Sequence, residues 1–342
     1  MAIGEIMARE IGEIPDVLSN LTIAFNSNSD AQSLLEDHQF TSVIIVARGT
    51  SDNAAHFLKF LIETKLGLPC GLASPSAATM YASSFRYEKT LVIAISQSGR
   101  SSDLNTFATS AKSGGAYLLS ITNDAQSPLA ENSDLHLPIL AGEELAVPAT
   151  KSFVGQLMNS YLLVMSWAKQ QAASDEIIRN SKACVTNEKF KEFAAQIDIR
   201  KPLYVLGRGF SYPNAKEFAL KLQETCLIPV QGMSSSDFLH GPVASINHDS
   251  QVIFMSPEGA PGESFGEAPS RIRSITGKIM WIGNGALAEK NDEVLTSPSS
   301  TSEISASITD AILFQKITHY LAVSHGFDPD SPKGLSKITS TK

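Results

Sequence analysis

Sliding the sequence along itself by 160 positions lays residues 43–99 over residues 203–259 without a gap, and eleven of those 57 positions are identical. The identities include Arg48/Arg208, Gly49/Gly209, Ser51/Ser211, Pro69/Pro229, Ser74/Ser234, Val92/Val252, Ile93/Ile253, Ser96/Ser256 and Gly99/Gly259, and the unmatched positions largely keep apolar character. Self-similarity of this length means two copies of one folding unit. The 342 residues agree, because a single core stops growing near roughly 250–300 residues.

Each copy opens on a short β-branched or aliphatic run, Val43–Val46 and Leu203–Leu206, followed by glycine-containing turn residues and a stretch of helical periodicity, Asn53–Leu66 and Asn214–Leu227. Strand, glycine turn and helix form the first half of a βαβ unit. A second strand follows in each copy, Leu91–Ile95 and Val252–Met255. Helix Asp103–Lys112 and strands Ala116–Ile121, Leu135–Ile139 and Lys278–Ile282 continue the alternation. Alternating strands and helices predict an α/β chain of two parallel sheets with helices on both faces. Residues 150–171, broadly apolar, and 176–196 read as two long helices between the copies, and a last helix covers about Glu303–His325. The expected division is 1–197, 198–325 and a polar tail, 326–342.

Apolar residues make up 43% and charged residues 18% of the chain, ample for two cores. A net charge of −8 argues against a nucleic-acid footprint and requires any anionic ligand to be held by a local site. Cys70, Cys184 and Cys226 lie far apart and form no CxxC pair, so neither a disulfide framework nor a zinc knuckle is expected. The seven histidines show no metal-ligand spacing, and no metal or cofactor is inferred. Acidic residues near the start (Glu5, Glu10, Glu13) and the short apolar runs, such as Tyr161–Trp167, favour a cytoplasmic protein over a secreted or membrane one.

Ligands of parallel sheets gather at the carboxyl ends of the strands, where free N–H groups at helix N-termini favour anions. Copy one offers two such loops, Arg48-Gly49-Thr50-Ser51 and Ser96-Gln97-Ser98-Gly99-Arg100-Ser101-Ser102. A charge-assisted hydrogen bond from such a loop is worth about 1.5–3 kcal/mol. Serines ahead of a helix also serve as plain N-caps, but two such loops at neighbouring strand ends favour an anion site. Neither matches a nucleotide signature, so a small phosphorylated metabolite is expected. Copy two has Pro257-Glu258 where copy one has Gln97-Ser98, and a carboxylate there would repel phosphate.

Copy two instead gains ionisable groups. Glu217, Lys221 and Glu224 stand at i, i+4 and i+7 on one helical face, where copy one has Phe57, Leu61 and Thr64. Such spacing also suits a solvated face; the apolar counterparts argue that this face is covered. Sixteen residues later His240-Gly241-Pro242 presents a histidine at a sharp turn, suited to proton transfer near neutrality.

With these residues in place the chain resembles the sugar isomerase (SIS) family, and within it the isomerase half of glucosamine-6-phosphate synthase. The likeness runs through Glu10-Ile11, Pro15, Gly49-Thr50-Ser51, Ser96-Gln97-Ser98-Gly99, Thr150-Lys151-Ser152-Phe153, Gly207-Arg208-Gly209, Ala219–Glu224, His240-Gly241-Pro242 and Leu335-Ser336-Lys337. It implies two flavodoxin-like SIS domains, each a three-layer αβα sandwich, in a homodimer. It further implies that Gly49, Thr50, Ser51, Ser96, Gln97, Ser98, Gly99 and Ser101 hold a sugar phosphate with Val147 nearby. Glu224 would carry a proton between C1 and C2, and His240, given by the partner subunit, would open the sugar ring. Lys337 would be able to form an imine with the open-chain sugar, with Glu217 and Lys221 in support.

Three departures bear on the reaction. The synthase carries a glutamine-hydrolysing domain ahead of this module, whereas this sequence starts Met1-Ala2-Ile3 and offers no N-terminal cysteine nucleophile. Ser236-Asp237-Phe238-Leu239 stands in place of Gly-Glu-Leu-Lys, and Ala149 in place of a serine. The expected activity is therefore the degradative one, in which glucosamine 6-phosphate and water give fructose 6-phosphate and ammonia. Alternatives are a fructosamine-6-phosphate deglycase, a galactosamine-6-phosphate deaminase, a plain aldose–ketose isomerase, or a sugar-phosphate sensor without catalysis.

Overall fold

The computed structural model describes residues 2–259 and 264–337. In chain order, helices α1 (Glu5–Gly12), α2 (Ile14–Asn26) and α3 (Ser29–Asp37) precede strand β1 (Ser42–Val46) and helix α4 (Thr50–Leu61), which runs into a π turn at Ile62–Leu66. Strand β2 (Cys70–Leu72), α5 (Ser76–Thr79), β3 (Thr90–Ser96), α6 (Ser102–Ser113), β4 (Tyr117–Thr122), α7 (Pro128–Asn132) and β5 (Leu135–Pro138) complete the first sheet. Three helices follow: α8 (Lys151–Trp167), α9 (Ser174–Thr186) and α10 (Phe190–Ala195). The second sheet is built from β6 (Leu203–Gly207), α11 (Tyr212–Cys226), β7 (Val230–Ser234), α12 (Ser235–Leu239), β8 (Gln251–Ser256), α13 (Ala268–Arg273), β9 (Lys278–Gly283) and β10 (Glu293–Thr296), and α14 (Glu303–Ser324) closes the chain.

Both sheets are parallel and five-stranded, in the orders β2-β1-β3-β4-β5 and β7-β6-β8-β9-β10, read from the same edge. This is the flavodoxin-like order, and with helices on both faces each half is an αβα sandwich. The duplication holds at the level of register. Val43 pairs with Cys70 and Leu91, and Leu203 pairs with Val230 and Gln251, each 160 residues on. The match slips by one residue at the fourth strand, where Leu91 meets Tyr117 but Gln251 meets Lys278, and shifts again at the fifth, where Leu119 meets Leu135 but Met280 meets Glu293.

The cores differ in character. In copy one α6 packs Leu104, Phe107, Ala108 and Ala111 on Val46, Val92, Ala94 and Leu118. In copy two Phe254 stacks on Trp281 with ring centroids 4.6 Å apart, flanked by Phe238, Phe265 and Ile272.

Two compact units emerge, one from Asp16–Glu144, Lys151–Ala172 and the segment from Ser336, the other from the chain up to Pro15 with Leu145–Thr150 and Ala173–Leu335. The chain thus crosses between units several times, where the sequence suggested single cuts near residues 198 and 326. In the second unit α14 is buried along most of its 22 residues and is covered by α1, α9, α10 and α11. That cover draws segments from both ends of the first copy. The continuous helix expected over 176–196 is two helices, because Lys316 from α14 donates its ammonium to the carbonyls of Cys184 (3.2 Å), Val185 and Asn187 (2.7 Å), satisfying the helix end there. The tail is anchored along part of its length. Pro329 and Pro332 are buried, and the Asp330 carboxylate accepts the backbone N–H groups of Ile6 (3.0 Å) and Met7 (2.7 Å) at the start of α1. Among the described residues no helix is long and apolar enough to cross a membrane.

Candidate active site

The first unit brings Gly49–Ser51 and Ser96–Ser101 to the carboxyl ends of the adjacent strands β1 and β3. Gly49 holds φ 56°, ψ −130°, a conformation that only glycine adopts readily, and a Cβ there would meet no atom within 4 Å. The loop turns there with an open face. Gly99 is required sterically as well, since a Cβ would lie 2.1 Å from Ser127 Oγ. Arg48 Nε reaches Asp103 Oδ2 at 2.7 Å, tying the first loop to the first turn of α6. Asn105 Nδ2 donates to the carbonyls of Gly99 (3.1 Å) and Ser101 (2.8 Å), closing the second loop.

Within this frame the hydroxyls are oriented to donate. Ser51 Oγ accepts the buried amide Nε2 of Gln156 at 3.0 Å, and Ser96 Oγ accepts the Gly99 N–H at 3.1 Å. An acceptor engaged in this way keeps its own proton for a further partner. Ser101 occupies the N-cap position of α6 but makes no side-chain cap bond, so plain capping does not account for it. Arg100, the cation of the loop, is drawn to Asp124 at 2.6 Å. An anion here would be met by N–H groups, hydroxyls and the N-terminal ends of α4 and α6.

Lys337 lies in the same unit, with Nζ 2.9 Å from Glu144 Oε2. The Glu144 side chain has no exposed surface and also accepts the Ser152 N–H (3.0 Å) and Oγ (2.7 Å) at the start of α8. Burial alone would push this carboxyl up. The Lys337 charge and the Ser152 hydrogen bonds more than offset that and hold it below the usual range. Sequence reasoning passed over Glu144; the readable signal was a carboxylate eight residues ahead of a helix-opening serine in a chain that turns back on itself.

The second unit gathers the ionisable groups. On α11, Lys221 Nζ lies 3.3 Å from Glu217 Oε1 and 2.5 Å from Glu224 Oε2. The Glu217 and Lys221 side chains are fully buried and that of Glu224 is 21% exposed, so this face is not a solvated one. Burial would push the Lys221 ammonium down; the opposing charges of Glu217 and then Glu224 raise it above the ordinary lysine value. The arrangement presents one carboxylate at the surface and fixes its rotamer from behind. His240 caps the C-terminus of α12 as an exposed residue, its N–H donating to the Asp237 carbonyl at 3.1 Å ahead of Gly241-Pro242. Val147 sits on a strap whose backbone is held by carboxyl and carbonyl groups. Its N–H donates to the Asp330 carbonyl at 2.9 Å, while Glu10 Oε1 accepts the N–H groups of Leu145 (2.5 Å) and Ala146 (3.3 Å). The predicted residues therefore fall into two sets. The phosphate loops and Lys337 lie in one unit, and Val147, Glu217, Lys221, Glu224 and His240 in the other.

A family model described as the SIS domain matches the chain twice, over residues 38–166 and 197–324. Glutamine–fructose-6-phosphate aminotransferase (isomerizing) from Aquifex aeolicus is 30% identical over 351 residues, covering 98% of this chain and 58% of that protein. The chain thus spans somewhat over half the length of the curated relatives it matches. Among solved structures, the C-terminal domain of glucosamine-fructose-6-phosphate aminotransferase from Francisella tularensis has a TM-score of 0.83 at 24% identity, covering 96% of this chain and 98% of that one. Glucosamine-6-phosphate deaminase from Thermotoga maritima has a TM-score of 0.76 at 21% identity, covering 97% and 99%. At those identities both structures speak for the fold alone.

Proposed function

The chain belongs to the SIS domain family, and on that premise we propose that it is a phosphosugar enzyme of the aldose–ketose isomerase type, acting as an isomerising glucosamine-6-phosphate deaminase. The observation that carries this reading is the buried Glu217–Lys221–Glu224 cluster, which leaves one braced carboxylate partly exposed in a fold whose other copy keeps an anion cradle.

In the proposed mechanism Thr50, Ser51 and Ser96–Ser101 bind the phosphate through amides and hydroxyls, which fixes the sugar without a cation. His240 moves a proton between the ring oxygen and O1 to open the ring. Glu224 takes the proton from C2 and returns it to C1, converting the aldehyde with its neighbouring amine into a C2 ketimine. Water adds to C2, and ammonia leaves as the ketone forms. Lys221 holds Glu224 in place during both transfers, and Glu217 balances the buried ammonium charge. The reading takes support from the Aquifex aeolicus relative, whose name specifies fructose 6-phosphate and isomerisation. The deaminating direction takes support from Phe238-Leu239 and Ala149, where the synthase pattern carries a cation and a hydroxyl. We further propose that the active site is completed in a homodimer, with His240 contributed across the interface.

Release of ammonia measured across glucosamine 6-phosphate, galactosamine 6-phosphate and fructosamine 6-phosphates, with ketose formation from glucose 6-phosphate as a parallel assay, tests the reaction. Ammonia from glucosamine 6-phosphate is the expected result; none from any amino sugar would sink the deaminase reading. For the shared site, equal mixing of Glu224→Gln and His240→Ala subunits should restore about a quarter of the wild-type sites, whereas sites contained in one chain would restore none.

A further inference from the structure

Gln156 lies within α8 with no exposed surface, and its Nε2 donates to Ser51 Oγ at 3.0 Å. The other end of the amide is less well served, for among the described residues Gln156 Oε1 is buried without a hydrogen-bond partner. A buried polar atom left unmatched costs stability, so a residue that carries one calls for a reason beyond packing. The helix around it is firmly held. Asn159 Nδ2 donates to the Pro138 carbonyl at the end of β5 (3.1 Å), and Ser160 Oγ donates to the carbonyl of Gln156 itself (2.8 Å). The amide therefore meets Ser51 from a fixed base.

Copy two folds without this contact. There α14 packs on α11 as α8 packs on α4, and it too carries a fully buried glutamine, Gln315. Gln315 Nε2 donates instead to the Thr150 carbonyl at 3.1 Å, while Ser211, the counterpart of Ser51, closes on the N–H and carbonyl of Arg208. The strand–turn–helix unit is thus satisfied with its serine bonded inside its own loop. A glutamine from the covering helix takes hold of the serine only in the copy whose loop is an anion cradle.

We propose that Gln156 is a positioning residue of the phosphate site, whose amide fixes Ser51 as a proton donor and so gives the β1 loop its preference for an acceptor-only, anionic group. This deepens the reading of Gly49–Ser51 as a sugar-phosphate loop and rests on it. A hydroxyl has one proton to give and two lone pairs to receive with. The oxygens of a phosphate dianion only accept, so Ser51 serves one only as a donor. Left free, a serine hydroxyl in a first helical turn also rotates onto nearby backbone groups. Nε2 of Gln156 can only give a proton. It obliges Ser51 to receive on that side and leaves the O–H for the ligand.

Calorimetric titration of fructose 6-phosphate into the whole protein measures this. Gln156→Met, which keeps the length of the side chain and removes its donor, should weaken binding about three- to tenfold, and Ser51→Ala at least about tenfold. Because Gln156 acts through Ser51, adding Gln156→Met to Ser51→Ala should change affinity by no more than about twofold. Inorganic phosphate, titrated in competition, should lose affinity by the same factor as the sugar phosphate, and in turnover the loss should fall on KM rather than on kcat. Gln156→Leu serves the same comparison if Gln156→Met does not fold. Wild-type affinity in the Gln156 variant overturns the positioning role, and so do losses that multiply in the double variant, which would mean that Gln156 only packs. A wild-type protein that binds neither fructose 6-phosphate nor inorganic phosphate overturns the anion site and the positioning with it. Binding with the Ser51 coupling intact, but no ammonia from any amino sugar, overturns the deaminase reading alone.

Discussion

The first βα loop of each copy starts from the same residues and diverges in chemistry. Gly49 and Gly209 hold φ 56° and 57° at the same place in the same strand register. In copy one the next positions are Thr50 and Ser51, and Ser51 is oriented by Gln156. In copy two they are Phe210 and Ser211. There Ser211 Oγ turns back onto the Arg208 N–H and carbonyl, both at 2.9 Å, and the Phe210 N–H donates to the Glu303 carboxylate. Copy two has filled its anion cradle with a carboxylate of its own chain. The helices that follow reverse the contrast. Phe57 and Leu61 are fully buried apolar residues, whereas Glu217 and Lys221 bury charge at the matching positions. Since a buried ion cluster is seldom more stable than apolar residues of similar size, its presence in one copy points to chemistry, with the other copy as the built-in control.

Writing copy one's residue into copy two should give the largest effect on stability. Lys221→Leu strands Glu217 beside Glu224 and should lower the unfolding free energy by about 3–5 kcal/mol in urea titrations. The double variant Glu217→Phe/Lys221→Leu should recover most of that while remaining inactive. Equal losses for the single and double variants would mean that the cluster is a structural element after all.

Asp310 in α14 is another buried ionisable group in copy two. Burial pushes its carboxyl from the ordinary 3.8 up to about 7, against the opposing hydrogen bond from Ser297. A raised carboxyl contributes stability that is fully present below the ordinary value and is lost as pH rises through about 7. Asp310→Asn should remove a slope of about 1.4 kcal/mol per pH unit between those limits, seen as a flatter Tm-against-pH curve. A wild-type curve already flat over that range would contradict the assignment.

The smallest change is expected at the filled cradle. Glu303→Ala should cost about 1 kcal/mol by leaving the Phe210 N–H without its acceptor, with kcat and KM unaltered. A rise in KM would mean that copy two also holds substrate.

The duplication was readable because strand register carries it. Residues 160 apart share pairing partners 160 apart, so apolar pattern and glycine positions repeat together. The loops and the α11 face were readable for the same reason, since each stands out against its copy. The break at Asn187 was not, because the helix ends where Lys316, far along the sequence, satisfies its carbonyls. Glu144 was hidden likewise. A carboxylate in an apolar strap looks like surface until the tail arrives with Lys337. The interleaved units follow from α14, whose burial on nearly all sides recruits segments that no local pattern links.

The division of labour between the copies is tested most directly by calorimetric titration of fructose 6-phosphate into Ser98→Ala and Glu224→Gln proteins. Loss of one charge-assisted bond of about 1.5–3 kcal/mol should weaken binding at least tenfold in Ser98→Ala. Glu224→Gln should bind within about twofold of the wild type while losing about 10²–10⁴ in turnover. Unchanged affinity in Ser98→Ala together with lost affinity in Glu224→Gln would contradict the account, for the anion site would then lie in the wrong copy.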